Sequence, residues 1–588
     1  MKQIIQKALP AIQSFFIAWA LMQITGIGTR HLLVSVYYVL ALLLVRQVKS
    51  SPTEAVSPWS KGLGALFTFL YLCGDFEGIC AGLTNPAFRL FVLLMTGIGL
   101  FLLFYHLLTL VFVCAIDKKL ATGVPGRLNG MKHCLFGLLC ALTCLFVWTF
   151  YLLKSFPGIL TVDSMHQYAQ IIGVYSQSNH HPWIHTLLIK LFYQIGLLFT
   201  SDPSKAIGFY TIAQMFFMAG CVGYLMQYLH RYQLKTGIYV AVLAFYALVP
   251  YNGAFAISMI KDTMFGGFTL LLSLSVLTLL RNQQDAPLTY HRSFGTLLFF
   301  MITSVFFCLF RSNGFYAFLF LIPFLLLVFR KSLRTMLPSV LLPLLLVLVI
   351  KGPVMNACGV IQPDLVENLS IPGQQISRVI MNQRELTDTQ EEFLNRIMDT
   401  SRLPEGYNPY VSDWFKRLVR MGDPAYLSDH VDEFFKVYIE LGLTYPGDYL
   451  LAFRDQTIGY WFPLSDQAEI ALNEGVCDNE FGLKTEPVLK GRFVVKVNEI
   501  LFKLHLIFPF YGLLWSVGAL FWILLLCMCI VGLYQNRSYL LVYLPAIGIF
   551  LTLLIATPVA KDFRYAYGYV FCIPLYLLLG FLREQIDA

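Results

Sequence analysis

The sequence predicts an all-α polytopic membrane protein, and three observations predict it. Of 588 residues, 57% are hydrophobic and only 13% charged, where soluble domains carry roughly 25% charged residues. Apolar runs of membrane-crossing length recur along the chain. Charge is also unevenly placed: residues 355–505 hold 23 acidic and 14 basic residues, and the rest of the chain holds 11 acidic and 28 basic. A hydrophobic body with basic loops and one acidic, water-like insert follows. Because the basic excess sits in short loops between apolar runs, it reads as a positive-inside signal and excludes a nucleic-acid partner. The first partner implied is the lipid bilayer.

Apolar runs at 8–28, 31–46, 61–83, 88–116 and 133–156 predict five spans. Others follow at 183–200, 207–229, 237–260, 263–280, 295–311, 314–330 and 336–353, and after the insert at 506–533, 538–558 and 565–582. The first run, preceded by Lys2 and Lys7, lacks a small-x-small cleavage site and reads as an uncleaved span. Basic loops place Arg46, Lys49 and Lys61, Lys118, Lys119, Arg127 and Lys132, Arg231 and Lys235, Arg281, His291 and Arg292, Arg330, Lys331 and Arg334, and Arg537 in the cytoplasm. Both termini are then cytoplasmic and the number of crossings is even. Three runs compete for two crossings between loops 117–132 and 230–236. The weakest, 183–200, contains Lys190 and is expected to lie along the outer interface. Fourteen crossings result, with the insert 355–505 extracytoplasmic and mainly helical.

The 13 cysteines form no CxxC pair, and most lie in apolar runs as small buried side chains. Cys358 and Cys477, in the insert, are either a disulfide or two thiols.

Outside the insert there are eleven carboxylates. Burying a charge at the bilayer centre costs at least about 2.5–3.5 kcal/mol, so their placement is informative. Glu54, Asp117, Asp285, Glu584 and Asp587 fall in cytoplasmic segments, and Asp202 in the link after the interfacial helix. The other five, Asp75, Glu77, Asp163, Asp262 and Asp562, all map to outer ends of spans. The chemistry is therefore expected on the outer face.

The richest segment is the outer loop 157–182. Asp163, His166, Gln167 and Gln170 are spaced i, i+3, i+4 and i+7, one face of a helix that Asp163 opens. Asp163 alone reads equally well as an N-cap. His180, His181 and His185 follow. The i, i+4 spacing of His181 and His185 suits zinc, but no Cys or Glu completes a ligand set and no HExxH is present, so hydrogen bonding or phosphate contact is preferred. The other outer connections supply Lys261-Asp262, Arg311-Ser-Asn-Gly314 and Lys561-Asp562-Phe-Arg564-Tyr565. Cations here run against the positive-inside trend. They read either as snorkelling anchors or as a grip on a lipid-linked phosphate.

These residues resemble the GT-C fold of membrane glycosyltransferases, the mannosyl- and aminoarabinosyl-transferase-like enzymes that use polyprenyl-phosphate sugars. Val162-Asp163-Ser164 through Gln167, then His180-His181-Pro182, resembles their first outer loop, and Lys261-Asp262 the second. Arg311-Ser-Asn-Gly314 and Arg564-Tyr565 resemble later outer positions. In layout the resemblance covers 133–350 and 506–582. It makes 1–132 a four-span N-terminal addition, 133–354 the membrane core, 355–505 an extracytoplasmic domain and 506–588 the closing spans. A lone Asp stands where the family has an acidic pair, which leaves a divalent cation open.

The resemblance implies transfer of a sugar from a polyprenyl-phosphate donor to an envelope glycan, lipid or protein acceptor. Asp163 would be the general base, with Asp262 a second catalytic carboxylate that orients a cation or holds Lys261. Lys261, Arg311 and Arg564 would hold the donor phosphate, and His166, Gln167, His180, His181 and Tyr565 would contact substrate. The alternatives are a lipid-linked glycan polymerase or ligase, and a flippase or transporter. Carboxylates confined to one face argue against ion-coupled transport.

Overall fold

A computed structural model describes residues 2–50, 53–116, 130–285, 287–465 and 475–582. The loop cations Lys118, Lys119 and Arg127, and the carboxylates Asp117, Glu584 and Asp587, lie outside the described residues.

Among the described residues the fold is helical, and the only β pairing is a set of isolated bridges. Four helices lead: α1 (Lys2–Thr25), α2 (Leu32–Lys49), α3 (Ser57–Ile79) and α4 (Pro86–Ile116). Next come α5 (Met131–Lys154), α6 (Val162–Ile171), α7 (Trp183–Leu197) and α8 (Pro203–His230). After them are α9 (Thr236–Leu248), α10 (Pro250–Ala256), α11 (Lys261–Asp285), α12 (Tyr290–Phe310), α13 (Ser312–Val328) and α14 (Leu333–Val349). Among the described residues, eleven helical segments are long and apolar enough to cross a membrane, or twelve with the bent pair α9–α10 as one span, against the fourteen expected. The expected span 237–260 is α9 plus α10, bent by 55°. Pro250 starts the second piece because its ring cannot donate into the α9 ladder. Two shorter apolar helices, Ser312–Val328 and Phe563–Leu579, fall below spanning length by the same measure. At 15 residues, α7 is about 22 Å long, short of the roughly 30 Å hydrocarbon core.

A further departure from expectation lies where the insert returns to the membrane. The run 506–533 is broken: Arg492–Ile507 is a separate amphipathic helix, and the apolar span begins only at Val517. Pro509 and the turn at Leu513–Trp515 interrupt the helix between them.

Burial is graded from α11 outwards. In the most apolar 18 residues of α11, 94% are buried inside the protein, so it is the central post of the bundle. The insert has its own core, in which Ile376, Leu394, Leu403, Phe415, Leu418 and Phe434 are nearly or fully inaccessible. Cys358 and Cys477 are not joined in a disulfide.

The insert is bolted to the segment just before Asp562. Ser412 N donates to Pro558 O at 2.9 Å and Ala560 N to Tyr410 O at 2.9 Å. Gln456 Nε2 donates to Thr557 O at 2.9 Å, and the Tyr460 hydroxyl to Val559 O at 2.7 Å. Gly459 lies so close to the Ala560 carbonyl that a Cβ would have no room.

Candidate functional site

Three short extended pieces set the position of α6. Ile159 N donates to Ile257 O at 3.0 Å and Met259 N to Ile159 O at 2.9 Å. On the other edge, Leu160 N donates to Gly475 O and Cys477 N to Leu160 O, each at 2.9 Å. These bonds fix the register between the start of α6 and the start of α11, the two places that carry Asp163 and Lys261-Asp262. Ser164 Oγ adds a bond to Met259 O at 2.7 Å.

The N-cap of α6 is Thr161, in a capping box with Ser164, so Asp163 is a first-turn residue with its carboxylate free to face outward. The single polar face expected of α6 is divided. Asp163 is partly exposed and His166 exposed, while Gln167 and Gln170 turn inward with Ser164. Gln170 Oε1 accepts from Ser178 N at 3.2 Å, tying down the following loop.

Asp163 meets the far end of the chain. Arg564 Nη1 donates to Asp163 Oδ2 at 2.9 Å, and Arg564 Nε donates to Asp562 Oδ2 at 2.6 Å. Arg564 Nη2 also donates to the Tyr565 hydroxyl at 3.2 Å. One guanidinium therefore bridges two carboxylates that are 399 positions apart in the sequence. Behind it, Arg311 Nη1 lies 2.6 Å from Asp262 Oδ1, with both side chains nearly inaccessible. Arg311 also donates to Tyr565 O at 3.2 Å and stacks its guanidinium 4.9 Å from the Tyr565 ring. The expected Lys261–Asp262 pairing is replaced: Asp262 holds Arg311, and Lys261 Nζ lies 3.2 Å from His181 Nδ1. Gly314 lets the start of α13 lie against the end of α12, because any Cβ there would collide with the Phe307 carbonyl.

The two carboxylates on Arg564 are driven apart electrostatically. Burial would raise the Asp163 carboxyl, but the cations Lys261 and Arg564 outweigh it and hold Asp163 well below the usual carboxylate range. At Asp562 burial wins over the Arg564 contribution, and the carboxyl is pushed up. Burial, reinforced by Lys261, pushes His181 well down and keeps it neutral. Thus Lys261 has a neutral imidazole as acceptor rather than a competing cation.

His180, half-exposed, lies at 3.9 Å from Glu367 of the insert, and its ring packs edge-on against His181 at 4.8 Å. Gln167 makes a buried link instead of facing substrate. Its Nε2 donates to Thr186 Oγ1 at 2.8 Å, and its Oε1 lies 3.1 Å from His185 Nδ1. His185 Nε2 is 2.6 Å from the Tyr210 hydroxyl, itself 2.8 Å from Gln214. Gln214 Nε2 reaches the carbonyls of Ala256 and Ser258 at 3.0 and 2.7 Å. This buried chain sets the loop that ends in Lys261.

The structure therefore brings together Asp163, Asp262, Lys261, Arg311, Arg564, His181 and Tyr565. His166 lies at the edge, 6.1 Å ring to ring from His181. Sequence reading missed Asp562 as a member, although the run Lys561-Asp562-Phe-Arg564 carried it, and missed the Gln167–His185–Tyr210 chain, for which the sequence held no signal. Among the described residues, no three His, Cys, Asp or Glu side chains are placed to hold a metal ion.

No curated protein and no solved structure matches the chain. The sequence profile of a family of unknown function, DUF6020, matches residues 174–588. It takes in every clustered residue except Asp163. The chain belongs to the DUF6020 family.

Proposed function

We propose that this protein is a membrane glycosyltransferase that moves a sugar from a polyprenyl-phosphate donor to a cell-envelope acceptor on the outer membrane face. The observation that carries the reading is the bridge Asp163–Arg564–Asp562, beside Lys261 and Arg311, where helices of the bundle end. A partly exposed ionised carboxylate next to two cations, Arg564 and Lys261, suits attack at an anomeric carbon with a phosphate leaving group. Asp163 accepts the proton of the acceptor hydroxyl as its oxygen attacks the anomeric carbon. The bond from that carbon to the phosphate oxygen breaks, and Arg564 and Lys261 stabilise the charge that develops on the phosphate.

In the free protein these same cations make Asp163 a weak base. Donor phosphate on Arg564 and Lys261 offsets their field and restores its basicity, so donor binding precedes base function. Asp262, engaged by Arg311 and almost inaccessible, positions that guanidinium rather than touching substrate. A phosphate leaving group needs little acid assistance, and a divalent cation is not a required part of this scheme.

The test is transfer of labelled sugar from a panel of polyprenyl-phosphate donors to extracted envelope material, by purified wild type and Asp163→Asn. Wild-type turnover is expected, with a loss of about 10²–10⁴-fold in the variant. Equal turnover in both overturns Asp163 as base. No turnover with any donor, diphosphate-linked glycans included, overturns the transferase.

A further inference from the structure

Lys351 is the one charged residue between Arg334 and Ala357 in the membrane-crossing segment Arg330–Ala357. It sits on a π-helical turn, Ile350–Val354, that contains Gly352 and Pro353. Such turns insert one residue into a helix and re-aim its side chains, and they recur at functional sites. Among the described residues Lys351 has no hydrogen bond and no carboxylate partner, and its ammonium lies 5.1 Å from the centre of the Phe315 ring. Phe315 is one turn past Arg311 on α13, so the ammonium is held beside the helix break that carries Arg311.

Depth supports a ligand for this cation. Lys351 lies 21 residues after Arg330, and Arg311 closes the 21-residue helix Tyr290–Phe310. Each is about 31 Å from the opposite end of its span, one hydrocarbon thickness. Both cations therefore stand at the level of lipid phosphates. The surface around Lys351 faces lipid: Tyr316 and Leu319 on α13, and Leu345 and Leu348 on α14, are exposed apolar side chains. A soluble anion has no reason to approach over such a surface, whereas a lipid phosphate brings its own apolar chain.

We infer that Lys351 is an entry contact for the phosphate of the polyprenyl carrier, with the chain lying along α13 and α14. This rests on the transferase reading above. It adds a second phosphate contact, on the lipid side of the Arg311 break and outside the Asp163–Arg564 cluster. The Phe315 face keeps the ammonium in place without neutralising it, leaving its charge for the incoming phosphate.

The test is binding of labelled polyprenyl phosphate to the full chain in phosphatidylcholine nanodiscs, together with transfer kinetics. Lys351→Met is expected to weaken carrier binding at least 10-fold and to raise the donor KM with kcat nearly unchanged. Lys351→Arg should restore both to within about 3-fold, and sodium phosphate or unphosphorylated polyprenol should not compete. Carrier binding unchanged in Lys351→Met, or competition by phosphatidylglycerol as strong as by the carrier, overturns the inference. Binding is read without turnover, so a chain that binds carrier through Lys351 but transfers no sugar sinks the transferase and leaves this contact standing. A chain that transfers normally with Met at 351 does the reverse.

Discussion

The first four helices and the helices around α11 are built from similar apolar residues, yet they stand differently in the molecule. Only 17% of α2's residues are buried in the protein, against 94% in the most apolar 18 residues of α11. The exposed faces of α2 have lipid as their solvent, while α11 is enclosed by protein and opens at Lys261 into the charged cluster. The family match begins at residue 174, so it includes α11 and omits α1 to α6. Apolarity puts a helix in the membrane. Packing and buried ion pairs decide which helix holds the site.

The largest expected effect is at the buried pair next to the site. Asp262→Ala or Arg311→Met leaves an uncompensated charge among apolar neighbours and should cost about 3–5 kcal/mol. Thermal unfolding in detergent measures this, and the double variant should cost less than the sum of the singles. Additive losses would break the claim that Asp262 exists to hold Arg311.

Next comes a direct contrast of the two regions. Leu274→Ala on α11, fully buried, should cost about 2–5 kcal/mol through its cavity. Leu40→Ala on α2, more than half exposed, should stay within about 0.5 kcal/mol. Equal losses would mean that α2 is covered by a partner.

A smaller effect is set by pH. Burial, helped by Lys261, pushes His185 down to about 3, below the ordinary value near 6.5. Below pH 6.5 the unfolded chain binds a proton that the folded one refuses. The stabilising contribution is thus complete above 6.5 and falls by about 1.4 kcal/mol per pH unit on acidification. From pH 6.5 to 5 the loss is about 2 kcal/mol, and His185→Gln should flatten that slope. An unchanged slope would remove the buried Gln167–His185–Tyr210 chain as its source.

The apolar runs were legible because a membrane demands about 20 consecutive apolar residues, a constraint local in sequence. Ten of the expected runs coincide closely with long apolar helices. The break at 506–517 was not legible, since Arg492–Ile507 carries enough apolar residues on one face to blur into the span that follows. Within the site, residue types could be read but pairings could not. Lys261 and Asp262 are adjacent, and adjacency suggested an ion pair. Successive residues on a helix point about 100° apart, which sends Asp262 inward to Arg311 and Lys261 outward to His181.

The sequence by itself determined that the chain is a helical membrane protein, and it nominated most of the residues that meet in the cluster. Hydrophobic length and charge bias act on each segment separately, so they survive in one dimension. Tertiary structure alone decided that Arg564 bridges Asp163 and Asp562, that Gln167 turns inward to His185, and that the insert clamps residues 557–560. Those outcomes depend on which chain ends meet in space, and on the rule that a buried polar group must find a partner wherever the fold supplies one.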